Sequence, residues 1–251
     1  MSVSTLSTFA WRLGIRMRHI YFAPDTSVAA VREDLQIYLQ SKSAPKDAKS
    51  FMTSVIDLDK SESDLNKNLS KTTLYEINRG HKKDGLRIDF WETPTHLEIK
   101  EFIGFFNAFA KFKGLAQANA GKLVALKDAR ALLIGKSSNE TTLLAMHAYI
   151  CDGHRARLLY SASNPSLRSS DQRNLLGRAN KLLHWKCIIH FQQAGFKEYD
   201  LGGISALPEL ESNNAFKRSF GGTERTEFNS LVGISNKGKF IAFLLRAFLG
   251  R

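Results

Sequence analysis

The sequence predicts an α+β fold in which strands form a layer flanked by helices. Three features of its 251 residues carry that expectation. Short runs rich in β-branched and aromatic residues alternate with longer runs whose apolar residues recur at helical spacing. Three apolar runs between residues 129 and 163 follow one another in quick succession, the pattern of an antiparallel meander. No internal repeat and no low-complexity tract points to a solenoid or a disordered chain.

Each element has its own justification. Residues 2–24 hold no Asp or Glu and interleave Arg12, Arg16, Arg18 and His19 with Phe9, Trp11, Leu13, Ile15 and Ile20, which reads as a basic amphipathic helix. Such an arm either packs on the domain or contacts a membrane surface or polyanion. Residues 25–40 read as a further short helix. The polar stretch SKSAPKDAKS (41–50) then divides this N-terminal arm and linker, residues 1–48, from a main domain over 49–235. FMTSVIDLD (51–59) alternates like a strand, and a Ser- and Asp-rich start opens a helical run that Gly80 is expected to end. GLRIDFWE (85–92) is the next strand. Between a capping Thr95 and a stop at Gly114, Ile99, Phe102, Ile103, Phe106, Phe109 and Ala110 recur at helical spacing, and their rings are read as core.

A helix over 118–129 leads into the meander, ARALLIGKSS, TTLLAMHAYICDG and HRARLLYSAS, whose last two runs meet at the hairpin dipeptide Asp152-Gly153. From about Asp171, the residues Leu176, Ala179, Leu183, Cys187, Phe191 and Ala194 make the apolar stripe of a long helix that Gly195 stops. KEYDLGG (197–203) is a strand, a short helix bears Phe216 and Lys217, and TEFNSLVGIS (226–235) is the last strand. Residues 236–251 form a basic amphipathic helix.

The net charge of +12 either attracts phosphates, on RNA, nucleotide sugars, coenzyme A or anionic lipid, or serves solubility alone. An apolar fraction of 43% is ordinary for a soluble protein, and no apolar run is long enough to cross a bilayer. The first residues lack a secretory signal, so a cytoplasmic location is expected. Cys151 and Cys187 fall in a strand and a helix and read as buried free thiols. Gly135-Lys136-Ser137 imitates the end of a phosphate-binding loop, but Arg130 stands where its opening glycine belongs. The histidines and cysteines show no paired metal-ligand spacing, and no metal is expected. His147, alternating with apolar neighbours, reads as a hydrogen-bonded core residue.

One stretch stands apart: FKEYDLGGISALPELESNNAFKRSFGG, residues 196–222. Its two glycine pairs bracket a polar loop and one lysine, so backbone approaches something closely, or turns through positive φ, on both sides of Lys217. When an amine attacks an ester or thioester carbonyl, negative charge develops on oxygen, and a fixed cation aimed there is the largest catalytic effect available. Lys217 is the candidate for that cation. Asp200 serves either as general base or as a loop support, and His184, next to Trp185, is the alternative base.

The run LLGRANKLLHWKCIIHFQQAGFKEYDLGGI followed by NNAFKRSFGG resembles the Fem-type (FemAB-like) branch of the GNAT acyltransferase superfamily. The shared pattern is a Trp-bearing helix, a Gly, a strand closing on Tyr-Asp-x-Gly-Gly, then Phe-Lys and Gly-Gly. It is specific over residues 143–234, vague over 51–140 and absent from the N-terminal arm. The resemblance implies a mixed, splayed central sheet flanked by helices, with the acyl donor in the cleft, the acceptor amine entering from the other side, and no metal. It gives the lysine of the Phe-Lys pair, Lys217, the catalytic role and places Phe216, Gly202, Gly203, Trp185, Tyr199 and Asn164 at the substrate. Donor phosphates are expected near Arg168, Arg173, Gly177 and Arg178, where the dense glycine pattern of ordinary GNAT proteins is missing. Fem-type members take amino acids from aminoacyl-tRNA to peptidoglycan precursors, whereas close relatives use acyl-coenzyme A on amino sugars or other amines. The well-studied peptidyltransferases of this type contain two such domains and often a helical hairpin, whereas this chain has room for one complete domain and a partial N-terminal region, a departure from the pattern that tells against a peptidoglycan acceptor.

The function expected is acyl or aminoacyl transfer to an amine of a cell-envelope glycan or glycopeptide precursor, with acyl-coenzyme A or aminoacyl-tRNA as co-substrate. A peripheral contact at the inner face of the membrane would serve a lipid-linked acceptor. The alternatives are an aminoacyl-tRNA-dependent peptidyltransferase, or a non-catalytic basic protein that binds RNA or membrane.

Overall fold

The structure, a computed structural model, describes residues 6–12, 14–25, 32–45 and 47–249. The chain forms two compact units, one over Ser54–Glu224 and one that joins Met1–Thr53 to Arg225–Arg251. Its first elements are β1 (Ser7–Arg12), β2 (Ile15–Tyr21), β3 (Leu35–Ser41), β4 (Lys49–Asp57), α1 (Glu62–Lys67), α2 (Lys71–Lys82) and β5 (Arg87–Trp91). Then come α3 (His96–Lys113), α4 (Ala120–Asp128) and the meander β6 (Leu132–Ser138), β7 (Leu143–Cys151) and β8 (Arg155–Ser163). The chain continues through α5 (Ser170–Gln193), β9 (Glu198–Gly203), α6 (Glu211–Arg218), β10 (Thr223–Gly233) and α7 (Asn236–Leu249).

In the Ser54–Glu224 unit the strands lie in the order β4-β9-β8-β7-β6-β5. Pairing is antiparallel from β5 to β8 and parallel between β8 and β9, so the sheet is mixed, as expected. Where β7 meets β8, Ala148 faces Tyr160 but Tyr149 faces Leu158, which leaves Leu159 as an extra residue. A bulge of this kind bends its strand and ends regular pairing. On its other edge β8 pairs with β9 at only three positions, Arg155 with Glu198, Ala156 with Tyr199 and Arg157 with Asp200. Beyond them the ladder pairing of the two strands stops, at the place where the resemblance implies a splay.

Helix α5 packs its long apolar stripe on one face of this sheet. Leu182, Leu183, Cys187, Ile188 and Phe191 join Tyr149, Ala156, Tyr199 and Leu201 in one core, sealed at its start by a capping box between Ser169 and Gln172. The opposite face takes α3, where Phe106 meets Tyr160 at 4.6 Å between ring centroids. Thr95 and Glu98 form the capping box of α3, and Gly114 closes it in the left-handed region at φ 65°. Gly80 does not end α2; it lies inside the helix. A Cβ there would sit 3.2 Å from Leu86 Cδ1 and 3.7 Å from Leu182 Cβ, so this glycine lets α2 cross α5 closely.

The second unit departs from the sequence reading. Residues 7–21 form a hairpin, not a helix: β1 pairs antiparallel with β2 through a turn at Gly14. The interleaving of arginine with apolar residues has a period of two, which places Phe9 opposite Arg18, whose guanidinium lies 5.6 Å over the ring. Of residues 25–40, 26–31 lie outside the described residues, and Leu35–Ser41 is a strand, parallel to β2 and antiparallel to β10. Among the described residues, β1, β2 and β3 thus belong to one compact unit with β10 and α7, in place of a helical arm. Asp34 ties the unit together, accepting from Arg16 N at 2.9 Å and from Ser235 Oγ at 2.8 Å, and these bonds hold its carboxyl below the usual range.

Candidate active site

The site lies in the Ser54–Glu224 unit, at the parting of β8 and β9. Strand separation leaves backbone groups without ladder partners, and each must find another. The Gly203 carbonyl, at the end of β9, finds Lys217: the ammonium donates to it from α6. Gly202 takes φ 83°, a turn that a side chain would strain. Asp200 accepts from the Gly202 N–H at 2.7 Å and from Arg155 Nη2 at 2.5 Å, and both partners are almost fully enclosed.

Of the two readings of Asp200, these contacts suit loop support: the carboxylate is 0% exposed, holds Arg155 and secures the strand end. Trp185, on α5, is likewise core, and Asn164 builds a turn, its Nδ2 donating to Leu143 O at 2.9 Å and its Oδ1 accepting from Ser166 N at 3.0 Å.

Several contacts fix α6 and so aim Lys217. Asn214 is buried and braces the incoming loop, accepting from Ser205 N at 3.1 Å and donating to Ser205 O at 2.7 Å. Ser219 O accepts from Ser70 N at 2.9 Å, and its hydroxyl meets Thr73 Oγ1 at 2.9 Å. The second glycine pair completes the anchor: Gly221 has φ 77°, and a Cβ there would fall 2.6 Å from Asn68 Cβ. The two pairs of glycines therefore do different work, the first at the site and the second in docking α6. Phe216 packs partly buried on the core beside Phe220, at 5.2 Å between centroids. Burial pushes the half-buried Lys217 ammonium below its ordinary range, the Asp200 carboxylate pulls it back up, and Arg157 lowers it again.

Next to the lysine runs a buried polar chain that the sequence shows only in pieces. His184 Nδ1 lies 2.7 Å from Tyr199 Oη, which lies 2.8 Å from Tyr149 Oη. Tyr149 Oη is 2.9 Å from His147 Nδ1, and His147 Nε2 is 2.7 Å from Asn180 Oδ1. Burial lowers His147 to about 4 and His184 well below its ordinary value, with His147 and Lys217 adding to the depression at His184. Both imidazoles are neutral at pH 7. Tyr199, expected at the substrate, is 0% exposed and belongs to the core. The signal that could have exposed the chain is the His147-Tyr149 alternation, which puts both side chains on the sheet face that α5 covers.

The residues expected to hold donor phosphates do not converge. Arg178 is bound to Asp84 at 2.5 and 3.3 Å, and Arg168 donates to Pro165 O at 3.2 Å and stands 5.0 Å over Phe112. Arg173 and Gly177 are exposed on α5, Arg173 in its first turn. Among the described residues no group of three or more His, Cys, Asp or Glu is placed to hold a metal ion, and no helix is long and apolar enough to cross a membrane.

The family profile described as acetyltransferase (GNAT) domain matches residues 70–218, more than half the chain and the whole of the site. This chain belongs to the GNAT acetyltransferase family. Among solved structures, this GNAT chain is similar to FemX, at 12% identity and a TM-score of 0.65, over 96% of this chain and 86% of that one. It is similar to L-PGS from Bacillus licheniformis at 13% identity and a TM-score of 0.54, over 98% and 86%. A conserved protein of unknown function from Bacteroides thetaiotaomicron matches at 10% identity and a TM-score of 0.55, over 93% and 84%. At such identities the likeness is one of fold, and the fold is that of Fem-like GNAT proteins. No curated protein matches the chain in sequence.

Proposed function

We propose that this GNAT protein transfers an acyl or aminoacyl group from a thioester or ester donor to an amine of a cell-envelope glycan or glycopeptide precursor. The observation that carries the reading is the Lys217 ammonium, held on the Gly203 carbonyl where β8 and β9 part. The amine nitrogen bonds to the donor's carbonyl carbon, and the bond to sulfur, or to oxygen in an ester, breaks. The charge that builds on the carbonyl oxygen meets the half-buried Lys217 Nζ once it turns from Gly203 O. Phe216 shapes the donor side, and Gly202 and Gly203 let it approach the backbone.

Acyl-coenzyme A is the favoured donor. The facing edges of β8 and β9 beyond Arg157 and Asp200 suit an extended, amide-bearing chain that hydrogen-bonds like an added strand. Arg173, exposed in the first turn of α5, is the residue best placed for its phosphates. Likeness in fold to FemX and L-PGS keeps aminoacyl-tRNA as the alternative donor. Phe240 and Phe243, 62% and 66% exposed on one side of the basic helix α7 with Lys239 beside them, favour a peripheral contact with an anionic membrane surface.

The test offers purified protein labelled acetyl-coenzyme A and labelled aminoacyl-tRNA, each with a panel of amino-sugar nucleotides, and reads product mass. An acceptor heavier by one acyl group is expected. Salt-sensitive RNA binding with no product from either donor would replace the enzyme by a non-catalytic polyanion binder.

A further inference from the structure

The buried chain of His147, Tyr149, Tyr199 and His184 has a direction, and the direction has a chemical consequence. It begins at Asn180, whose Oδ1 accepts from two sides, from His147 Nε2 at 2.7 Å and from Ser161 Oγ at 3.5 Å. With Nε2–H spent there, neutral His147 has only an acceptor at Nδ1, so Tyr149 Oη donates to it across 2.9 Å. Having given its one proton, Tyr149 Oη must accept from Tyr199 Oη at 2.8 Å. Tyr199 Oη then accepts from His184 Nδ1 at 2.7 Å. The proton of His184 is therefore on Nδ1, and Nε2 carries a lone pair.

Two further observations agree. Among the described residues Nε2 has no hydrogen-bond partner, although His184 is 1% exposed, and its ring is flanked by Phe216 and Phe220 at 5.4 and 5.3 Å. Lys217 acts on this ring from α6, and a neighbouring ammonium favours a lone pair turned toward it over an N–H. The titratable groups that face His184 are His147 from β7, Tyr199 from β9 and Lys217 from α6. On α5 itself, Cys187 lies against Tyr149, with its thiol pushed up to about 12. A thiol can donate or weakly accept, and the His147 imidazole nitrogen is the stronger acceptor for the Tyr149 proton, which leaves the direction of the chain unchanged.

Resting on the acyltransferase reading, the geometry points to His184 as the group that takes the proton from the acceptor amine, with Asn180, His147, Tyr149 and Tyr199 as positioning residues that fix its tautomer. The amine attacks, the C–N bond forms, and the nitrogen becomes an ammonium attached to the tetrahedral carbon. That ammonium is far more acidic than a free one, so a weak base suffices. Nε2 takes one proton as the C–S or C–O bond breaks, and the imidazolium returns it to the leaving thiolate or alkoxide. A base so poor at pH 7 stays unprotonated between turnovers, even beside a lysine.

The experiment has two readouts on the full chain. Long-range 1H–15N spectra of histidine-labelled protein should show His184 protonated at Nδ1 and still neutral at the ordinary histidine value of about 6.5, and Tyr149→Phe should mix its tautomers. Protonation at Nε2 in the wild type, or titration near the ordinary histidine value, overturns the inference without reference to any substrate. In single-turnover transfer from acetyl-coenzyme A or aminoacyl-tRNA, His184→Ala should lower the rate by roughly 100-fold or more, in the range of lost general-base catalysis. Tyr149→Phe, which keeps the ring volume, should lower it by about 10-fold with KM unchanged, in proportion to the tautomer lost. A His184→Ala protein that folds and transfers at the wild-type rate overturns the base. Transfer by neither donor, with the Nδ1–H tautomer in place, instead sinks the acyltransferase reading and the base with it.

Discussion

The two ends of the β8–β9 pair are built on opposite principles. At the closed end three registered positions are reinforced by Arg155, 3% exposed in its side chain, which bonds Asp200 at 2.5 Å and faces Glu198 at 3.7 Å. At the open end pairing stops beside a bulge, and a lysine from another element occupies a carbonyl that a neighbouring strand would otherwise use. The comparison teaches that the cleft depends on the staple. Two strands can stop pairing without unravelling because a buried ion pair closes their base, and the polar groups freed there are the ones the proposed function uses.

The largest effect should come from removing the staple. Asp200→Ala leaves Arg155 enclosed without its carboxylate, a loss of about 3–5 kcal/mol for breaking one partner of a buried pair. Urea unfolding would measure it; a loss under about 1 kcal/mol would mean that the closed end does not depend on this pair.

The polar chain beside the open end gives the next effect, a dependence of stability on pH. Because the folded state lowers His147 to about 4 and His184 well below its ordinary value, the unfolded chain binds more protons below its histidine pKa of roughly 6.5. Stability is then complete above about 6.5 and falls as pH drops from there toward 4, each histidine contributing a slope of about 1.4 kcal/mol per pH unit. Chemical denaturation between pH 4 and 8 checks this, and His147→Asn should flatten the curve by about half, since only one of the two histidines then remains.

The smallest effects separate the arginines of the two sides. Arg178→Ala should cost about 0.5–1 kcal/mol of stability through its bond to Asp84 and leave the KM for the donor unchanged. Arg173→Ala should leave stability unchanged and raise that KM by roughly 3- to 10-fold, the range for losing one phosphate contact. The reverse pattern in melting and steady-state kinetics would move the donor site to Arg178.

Much of the closed end was legible in the sequence. The meander, the caps at Thr95 and Gly114 and the long stripe of α5 follow from local periods and end signals, which need no tertiary partner to be read. The hairpin at residues 7–21 was less so, because an alternation of arginine and apolar residues suits a strand of period two as readily as a short basic helix. Gly80 reads as a helix stop until α5 is laid across it. At the site, the paired glycines and Phe216-Lys217 mark a special backbone, yet the commitments of Asp200 to Arg155 and of Arg178 to Asp84 bridge distant parts of the chain. The same is true of the polar chain, whose members come from β7, α5 and β9 and whose hydrogen bonds no single-residue pattern encodes.

The account rests on a cation meeting an oxygen at the parting of two strands. Its most direct test is the single-turnover rate of acyl transfer by Lys217→Ala under saturating donor. A fall of about 100- to 1,000-fold is predicted, the cost of losing one oxyanion partner, with donor binding and the thermal midpoint preserved. Transfer at the wild-type rate by a folded Lys217→Ala protein would contradict it.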